Sequence, residues 1–213
     1  LVSTMNKKYN DESFLSEMNL TGNVIVCNQS NDINYYEYGE DTNLKKIYTN
    51  NEIGVGRSRN TLLLYSNADI CILSDDDMTF SESYEEIVKN EFELRPSADV
   101  LIFNIDDGGI RKKTLKDTKV NYFNFTRFGA ARIVFRRKSI LNNDIYFSTN
   151  FGGGATYGSG EDTLFLKHCL DRKLEVIAIN KEIAKLEDNR PSTWFMGYDE
   201  KFFLDKGALF YNL

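Results

Sequence analysis

Ala68–Met78 reads ADICILSDDDM, an apolar run that ends in three consecutive aspartates. Ile70–Leu73 is apolar without alternation, the pattern of a strand covered on both faces. Adjacent carboxylates repel one another unless cations compensate them. In open α/β sheets ligands bind beyond the carboxyl ends of strands, and Asp75, Asp76 and Asp77 fall at such an end. On extended backbone Asp75 and Asp77 point the same way, so a divalent cation could bridge them to ligand phosphates. The plainer alternative is a solvated acidic turn leading into a helix that Ser81 caps.

Similar runs lie on either side. Leu1–Thr4, Asn23–Asn28, Leu44–Tyr48, Asp69–Ser74 and Asp99–Ile105 read as strands. Helical spacing runs through Asn60–Tyr65, and an acidic helix over Ser81–Leu94 stops at Arg95-Pro96. Repeated β-α-β order predicts an α/β layer with a largely parallel sheet. The second half is less regular. It carries a long excursion over Asp107–Phe128, a strand over Ala131–Phe135 and a glycine-rich loop over Phe151–Gly160. A helix over Glu161–Arg172, a strand over Glu175–Ile179 and a helix over Trp194–Lys206 closed by Gly207 complete it. With neither repeat nor linker, one domain over residues 1–213 is expected.

Hydrophobic residues make up 41% of the 213, enough for a core without disulfides or structural metal. Lys and Arg total 26 against 32 Asp and Glu, and a net charge of −6 argues against a nucleic-acid binder. No apolar run approaches the roughly 20 residues of a spanning helix, and no signal peptide opens the chain. A soluble, cytoplasmic protein is expected. Cys27, Cys71 and Cys169 lack zinc-like spacing and read as small buried hydrophobes in a reducing setting. His168 is the only histidine, which excludes a His-centred metal site or a Ser-His-Asp triad within this chain.

Two further stretches carry chemistry. In Asn51–Asn60 (NEIGVGRSRN), Gly54 and Gly56 permit close backbone approach, and Arg57 and Arg59 precede a helix. Cations there oppose the helix dipole, so something anionic should offset them. In Gly158–Phe165 (GSGEDTLF), a helical wheel puts Asp162 inward with Phe165, Leu166 and Cys169, and Glu161 at the edge. An inward carboxylate in the first turn could serve as a general base. The alternative is a capping box, Ser159-x-x-Asp162.

Taken in order, the N-terminal strand, NVIVCNQS, NEIGVGRSRN, ADICILSDDD and GSGEDTLF resemble the GT-A glycosyltransferases of family 2, and the resemblance spans the whole chain. It implies a GT-A fold, with a Rossmann-like, mostly parallel central sheet flanked by helices. Residues 1–106 would then form a nucleotide-sugar-binding half and 107–213 an acceptor-binding half. The implied activity is inverting transfer from a nucleotide-diphosphate sugar, a UDP-sugar foremost, aided by Mn²⁺ or Mg²⁺, to a glycan or lipid-linked acceptor of bacterial polysaccharide or lipopolysaccharide assembly. Ser3, Thr4, Asn28 and Gln29 match nucleoside contacts, and Arg57 and Arg59 lie on the nucleotide side. Asp75 and Asp77 match the metal-binding Asp-x-Asp pair, with Asp76 near the donor sugar. Glu161-Asp162 matches the acidic pair that supplies the base, with Asp162 favoured. Many relatives place a metal-binding His after the following strand. Lys185–Pro191 (KLEDNRP) stands there instead, with Asp188 a weak substitute.

The run Arg111-Lys112-Lys113, Lys116 and Lys119, followed by Tyr122, Phe123, Phe125 and Phe128, reads either as a solvated loop or as a contact to an anionic lipid-linked acceptor. The second reading allows peripheral contact with the inner face of a membrane. Trp194 reads as core or as a platform for an acceptor sugar. Two other functions compete. A sugar-nucleotide pyrophosphorylase needs a glycine-rich loop after the first strand, where this chain has Met5-Asn6-Lys7-Lys8-Tyr9. A non-catalytic nucleotide-sugar or metal-binding module would have no use for an intact Glu161-Asp162 pair.

Overall fold

A computed structural model describes residues 1–110, 112–186 and 197–213. The first half runs β1 (Val2–Met5), α1 (Ser13–Glu17), β2 (Val24–Gln29), β3 (Asn34–Tyr38), β4 (Lys45–Asn50), α2 (Val55–Tyr65), β5 (Ile70–Ile72), β6 (Ser74–Asp75), β7 (Met78–Phe80), α3 (Tyr84–Leu94) and β8 (Val100–Asp106). The second half adds β9 (Thr118–Lys119), β10 (Ile133–Arg136), α4 (Arg137–Asn142), α5 (Glu161–Asp171), β11 (Val176–Leu186) and α6 (Glu200–Tyr211).

The strands form two sheets, ordered β3-β4-β2-β1-β6 and β5-β10-β8-β11-β7, with β9 on β11. In the first, β4, β2, β1 and β6 are parallel and only the edge strand β3 runs the other way. The second is mixed: β8 and β11 are parallel, while β10 runs against β5 and β8. The two meet at Leu73, whose N–H donates to Ile133 O at 3.1 Å while the Ser74 N–H donates to Leu1 O at 2.9 Å. The decisive stretch around Ile70–Asp75 is thus the seam of the molecule, and it ends at the aspartates.

Alternate residues of β8 enter two separate cores, which explains its continuous apolar run. Leu101, Phe103 and Ile105 pack with Phe14, Val88 and Phe92, whereas Val100 and Ile102 pack with Leu63, Phe165 and Leu166. Helices α1 and α3 therefore cover one face of β8, and α2 and α5 the other. The three cysteines are buried and unpaired, as their apolar settings imply. Among the described residues, no helix is long and apolar enough to cross a membrane.

Two sequence expectations need correction, and one strand had no counterpart among them. The last helix spans Glu200–Tyr211, so Gly207 lies inside it, and Trp194 lies outside the described residues. Within the excursion after β8, Phe125 and Phe128 are core residues rather than loop surface. The edge strand Asn34–Tyr38 (NYYEY) is too polar to show the buried-strand signal.

Candidate active site

The parallel register brings the expected residues to one end of the sheet. Ser3 lies opposite both Cys27 and Asp75, Thr4 opposite Asn28, and Gln29 opposite Asn50. Helix α2 begins beyond the end of β4, and α5 begins beyond the glycine-rich loop. The β1, β2 and β6 ends, the start of α2 and the start of α5 all contribute side chains. A cavity of about 570 Å³ opens instead among the strand starts, and none of Asp75, Asp76, Asp77, Glu161 or Asp162 lines it. The acidic groups therefore mark the site, not the cavity.

Arg59 is the hub. Its guanidinium donates to Glu161 Oε1 at 2.6 Å and to Asp75 Oδ1 at 3.0 Å, and the residue is 4% exposed. Burial by itself would weaken its protonation, but Asp75 and Glu161 more than offset this and hold it more firmly charged. The anionic partner expected for the arginines thus comes from the protein's own carboxylates. Arg57, at the start of the same helix, is exposed. Close packing sets the start of α2: a Cβ at Gly56 would collide with the Ser148 carbonyl. The Val55 N–H donates to Gly153 O at 2.9 Å, which fixes the glycine-rich loop against this helix.

The second aspartate has its own cation. Asp76 Oδ2 accepts from the Thr4 hydroxyl at 2.6 Å and lies 3.6 Å from Lys7 Nζ. Asn28, 0% exposed, donates to Lys7 O at 2.9 Å and accepts from Lys7 N at 3.1 Å, holding the loop that carries this lysine. Gln29 Oε1 accepts from the Gly54 N–H at 2.6 Å, and the Ser3 and Ser58 hydroxyls pair at 2.8 Å. The Asn28 amide and the Gln29 carbonyl, expected at the nucleoside, therefore bind backbone and shape the loops. Sequence reasoning missed Lys7, because its role depends on a strand pairing that fixes where Asn28 faces.

Both acids at the start of α5 are drawn in from solvent. Glu161 is buried at 8% exposure, while Asp162 is only half-buried. The wheel puts Glu161 at the edge of the apolar face, but its ion pair with Arg59 draws it inward. Nor is there a capping box: Gly160 precedes the helix and no side chain caps it. Asp162 Oδ1 instead accepts from the Thr163 N–H at 2.7 Å. Burial first and the Glu161 charge second raise the Asp162 carboxyl to about 6, against an opposing pull from Arg59. A carboxyl near neutrality with a charged neighbour is suited to taking and returning a proton.

The donor set can be tested for a metal. Among the described residues, no three His, Cys, Asp or Glu side chains converge as a metal cluster. Asp75 leaves 42% of its side chain exposed, and Asp77 is half-buried. Their hard oxygens suit Mg²⁺ or Mn²⁺. Two carboxylates by themselves would leave most positions of such an ion to phosphate oxygens and water. Asp188 lies outside the described residues.

The mixed two-part sheet flanked by helices is the GT-A fold. No protein-family model matches the chain, and no curated protein matches it. Among solved structures, the chain is similar to Staphylococcus aureus TarS 1–349 in complex with UDP-GlcNAc, with a TM-score of 0.70 and 16% identity over 99% of this chain and 66% of that one. The same fragment in complex with UDP gives 0.61 and 18% over 86% of this chain and 59% of that one. A longer TarS structure gives 0.64 and 16% over 98% of this chain, which spans 38% of it. At these identities the likeness defines the fold.

Proposed function

We propose that the chain is a metal-assisted, inverting glycosyltransferase that moves a sugar from a nucleotide-diphosphate donor, a UDP-sugar foremost, to a glycan or lipid-linked acceptor. The observation that carries this is the pairing, through Arg59, of the strand-end Asp75 with the helix start that bears Asp162. One end of that bridge has the oxygens to meet a diphosphate, and the other has a carboxyl poised near 6. The structures with UDP-GlcNAc and UDP bound to TarS support the choice of donor class.

The chemistry is a single displacement. An acceptor hydroxyl attacks the anomeric carbon, the bond to the donor phosphate breaks, and its electron pair leaves with the diphosphate. Asp162 takes the hydroxyl proton. Glu161, held by Arg59, lies beside it and raises its affinity for that proton. Lys7 and Thr4 orient Asp76 at the mouth of the site. A cation bound by Asp75 and Asp77 would supply positive charge for the departing diphosphate.

A thermal-shift screen of nucleotide sugars, with and without Mn²⁺, tests the reading. UDP-GlcNAc with Mn²⁺ at about 100 times its Kd should add about 2.7 kcal/mol of apparent stability. No shift with any nucleotide sugar would overturn it.

A further inference from the structure

Helix α6 is joined to the site by a grip that the chemistry above does not use. Only Asp205 and Leu209 of its 12 residues are buried, and both touch the loop that leads into α5. Asp205 Oδ2 accepts from the Gly158 N–H at 2.8 Å. Lys201 Nζ holds the same carboxylate at 2.8 and 3.0 Å and donates to Thr156 O at 3.2 Å. Lys206 Nζ reaches the Ser159 hydroxyl at 3.2 Å. Leu209 closes on Gly160, where an added Cβ would sit 2.8 Å from its Cδ1 and the backbone has φ +117°. The outward residues Phe203, Leu204, Phe210 and Tyr211 are all at least 63% exposed. The inner face of α6 thus grips consecutive residues immediately before Glu161 and Asp162.

Helix α5 has no side-chain cap of its own, so its start is located by this grip and by Arg59. We propose that Asp205 is a positioning residue: through Gly158 it fixes the loop that sets where Asp162 stands. The inference rests on the reading of Asp162 as the base. Small displacements of a base are costly, since a misplacement of about 1 Å can reduce rate about 10²-fold.

The test compares Asp205→Ala and Asp205→Asn with the wild-type chain. Amide hydrogen exchange is followed at Gly158, at Thr163, whose N–H donates to the Asp162 carboxylate, and in β8 as an internal control. UDP release from UDP-GlcNAc with Mn²⁺ is measured on the same samples. Asp205→Ala should speed exchange at Gly158 and Thr163 about tenfold or more while β8 is unchanged. It should lower kcat by about 10- to 10²-fold with the donor KM within about twofold. Asp205→Asn keeps an oxygen for the Gly158 N–H and should restore most of both. Unchanged exchange at Thr163 in Asp205→Ala would overturn the inference, as would equal losses in both variants that follow the unfolded fraction. If the wild-type chain turns over neither UDP-GlcNAc nor any other nucleotide sugar, the functional reading falls, and the exchange data still decide whether α6 sets the position of Asp162.

Discussion

Arg59 and Glu161 lie 102 positions apart in sequence and meet in a buried ion pair at 2.6 Å. The same guanidinium holds Asp75, so one side chain ties the seam strand to the start of α5. Desolvation makes such a bridge costly to break from one side, because the remaining charge stays buried without its partner.

Replacing Arg59 by Met should therefore cost about 3–5 kcal/mol of stability. Glu161→Gln alone should cost less, because the amide still accepts a hydrogen bond. The double variant Arg59→Met/Glu161→Gln should be less destabilised than the sum of the two by about 0.5–3 kcal/mol. Denaturant melts of the four proteins check this, and strict additivity would show that the pair is not coupled.

Asp162 gives a pH dependence with a definite sign. Its carboxyl sits at about 6 in the folded chain against an ordinary aspartate value of 3.8, so the folded state binds the proton more tightly. That contribution to stability is full below the lower value and is lost as pH rises through the higher one. Asp162→Asn should therefore be stabilised relative to wild type by about 1–3 kcal/mol at pH 8, with the difference vanishing below pH 4. A helix cap at this position predicts the opposite, a loss of about 0.5–2 kcal/mol. Urea melts across pH 4–8 separate the two.

The metal expectation is also specific. With one Asp75 oxygen committed to Arg59 and no converging third ligand among the described residues, Mn²⁺ alone should bind weakly. UDP and Mn²⁺ should bind cooperatively. Asp77→Ala should abolish that cooperativity and leave the melting temperature within a few degrees. Calorimetry showing the same UDP affinity in EDTA would remove the metal from the account.

Peripheral membrane contact through the stretch after β8 should be weak. Phe123 is 99% exposed and available, but Lys113 is drawn to Glu182 at 2.6 Å and Asp106 at 3.3 Å. Each base near an anionic surface adds about 1 kcal/mol, so losing Lys113 to these partners matters. Sedimentation with anionic vesicles at low salt should fall with Phe123→Ala. Equal sedimentation with neutral vesicles would count against the contact.

The sheet was legible because Val100–Ile105 is buried on both faces and Ile70–Leu73 and Val24–Cys27 are buried or half-buried throughout, a setting that favours mostly apolar runs over alternation. The acidic groups were legible because strand ends and helix starts place chemistry at one end of such a sheet. Their partners were not. Which cation meets which aspartate depends on pairings across tens of residues: Arg59 with Asp75 and Glu161, Lys7 with Asp76. Local periodicity also left Glu161 at the edge of α5, since the Arg59 that draws it inward comes from 102 positions away. The grip of α6 on Gly158 spans 47 positions and leaves no local signature.

The central claim is that Asp162 is the base of a nucleotide-sugar transferase. The most direct measurement is UDP release from UDP-GlcNAc with Mn²⁺ by wild-type and Asp162→Asn protein, each corrected for folded fraction. The account predicts a fall of about 10²–10⁴-fold in kcat with donor affinity nearly unchanged. A folded Asp162→Asn protein that turns over at the wild-type rate would contradict it.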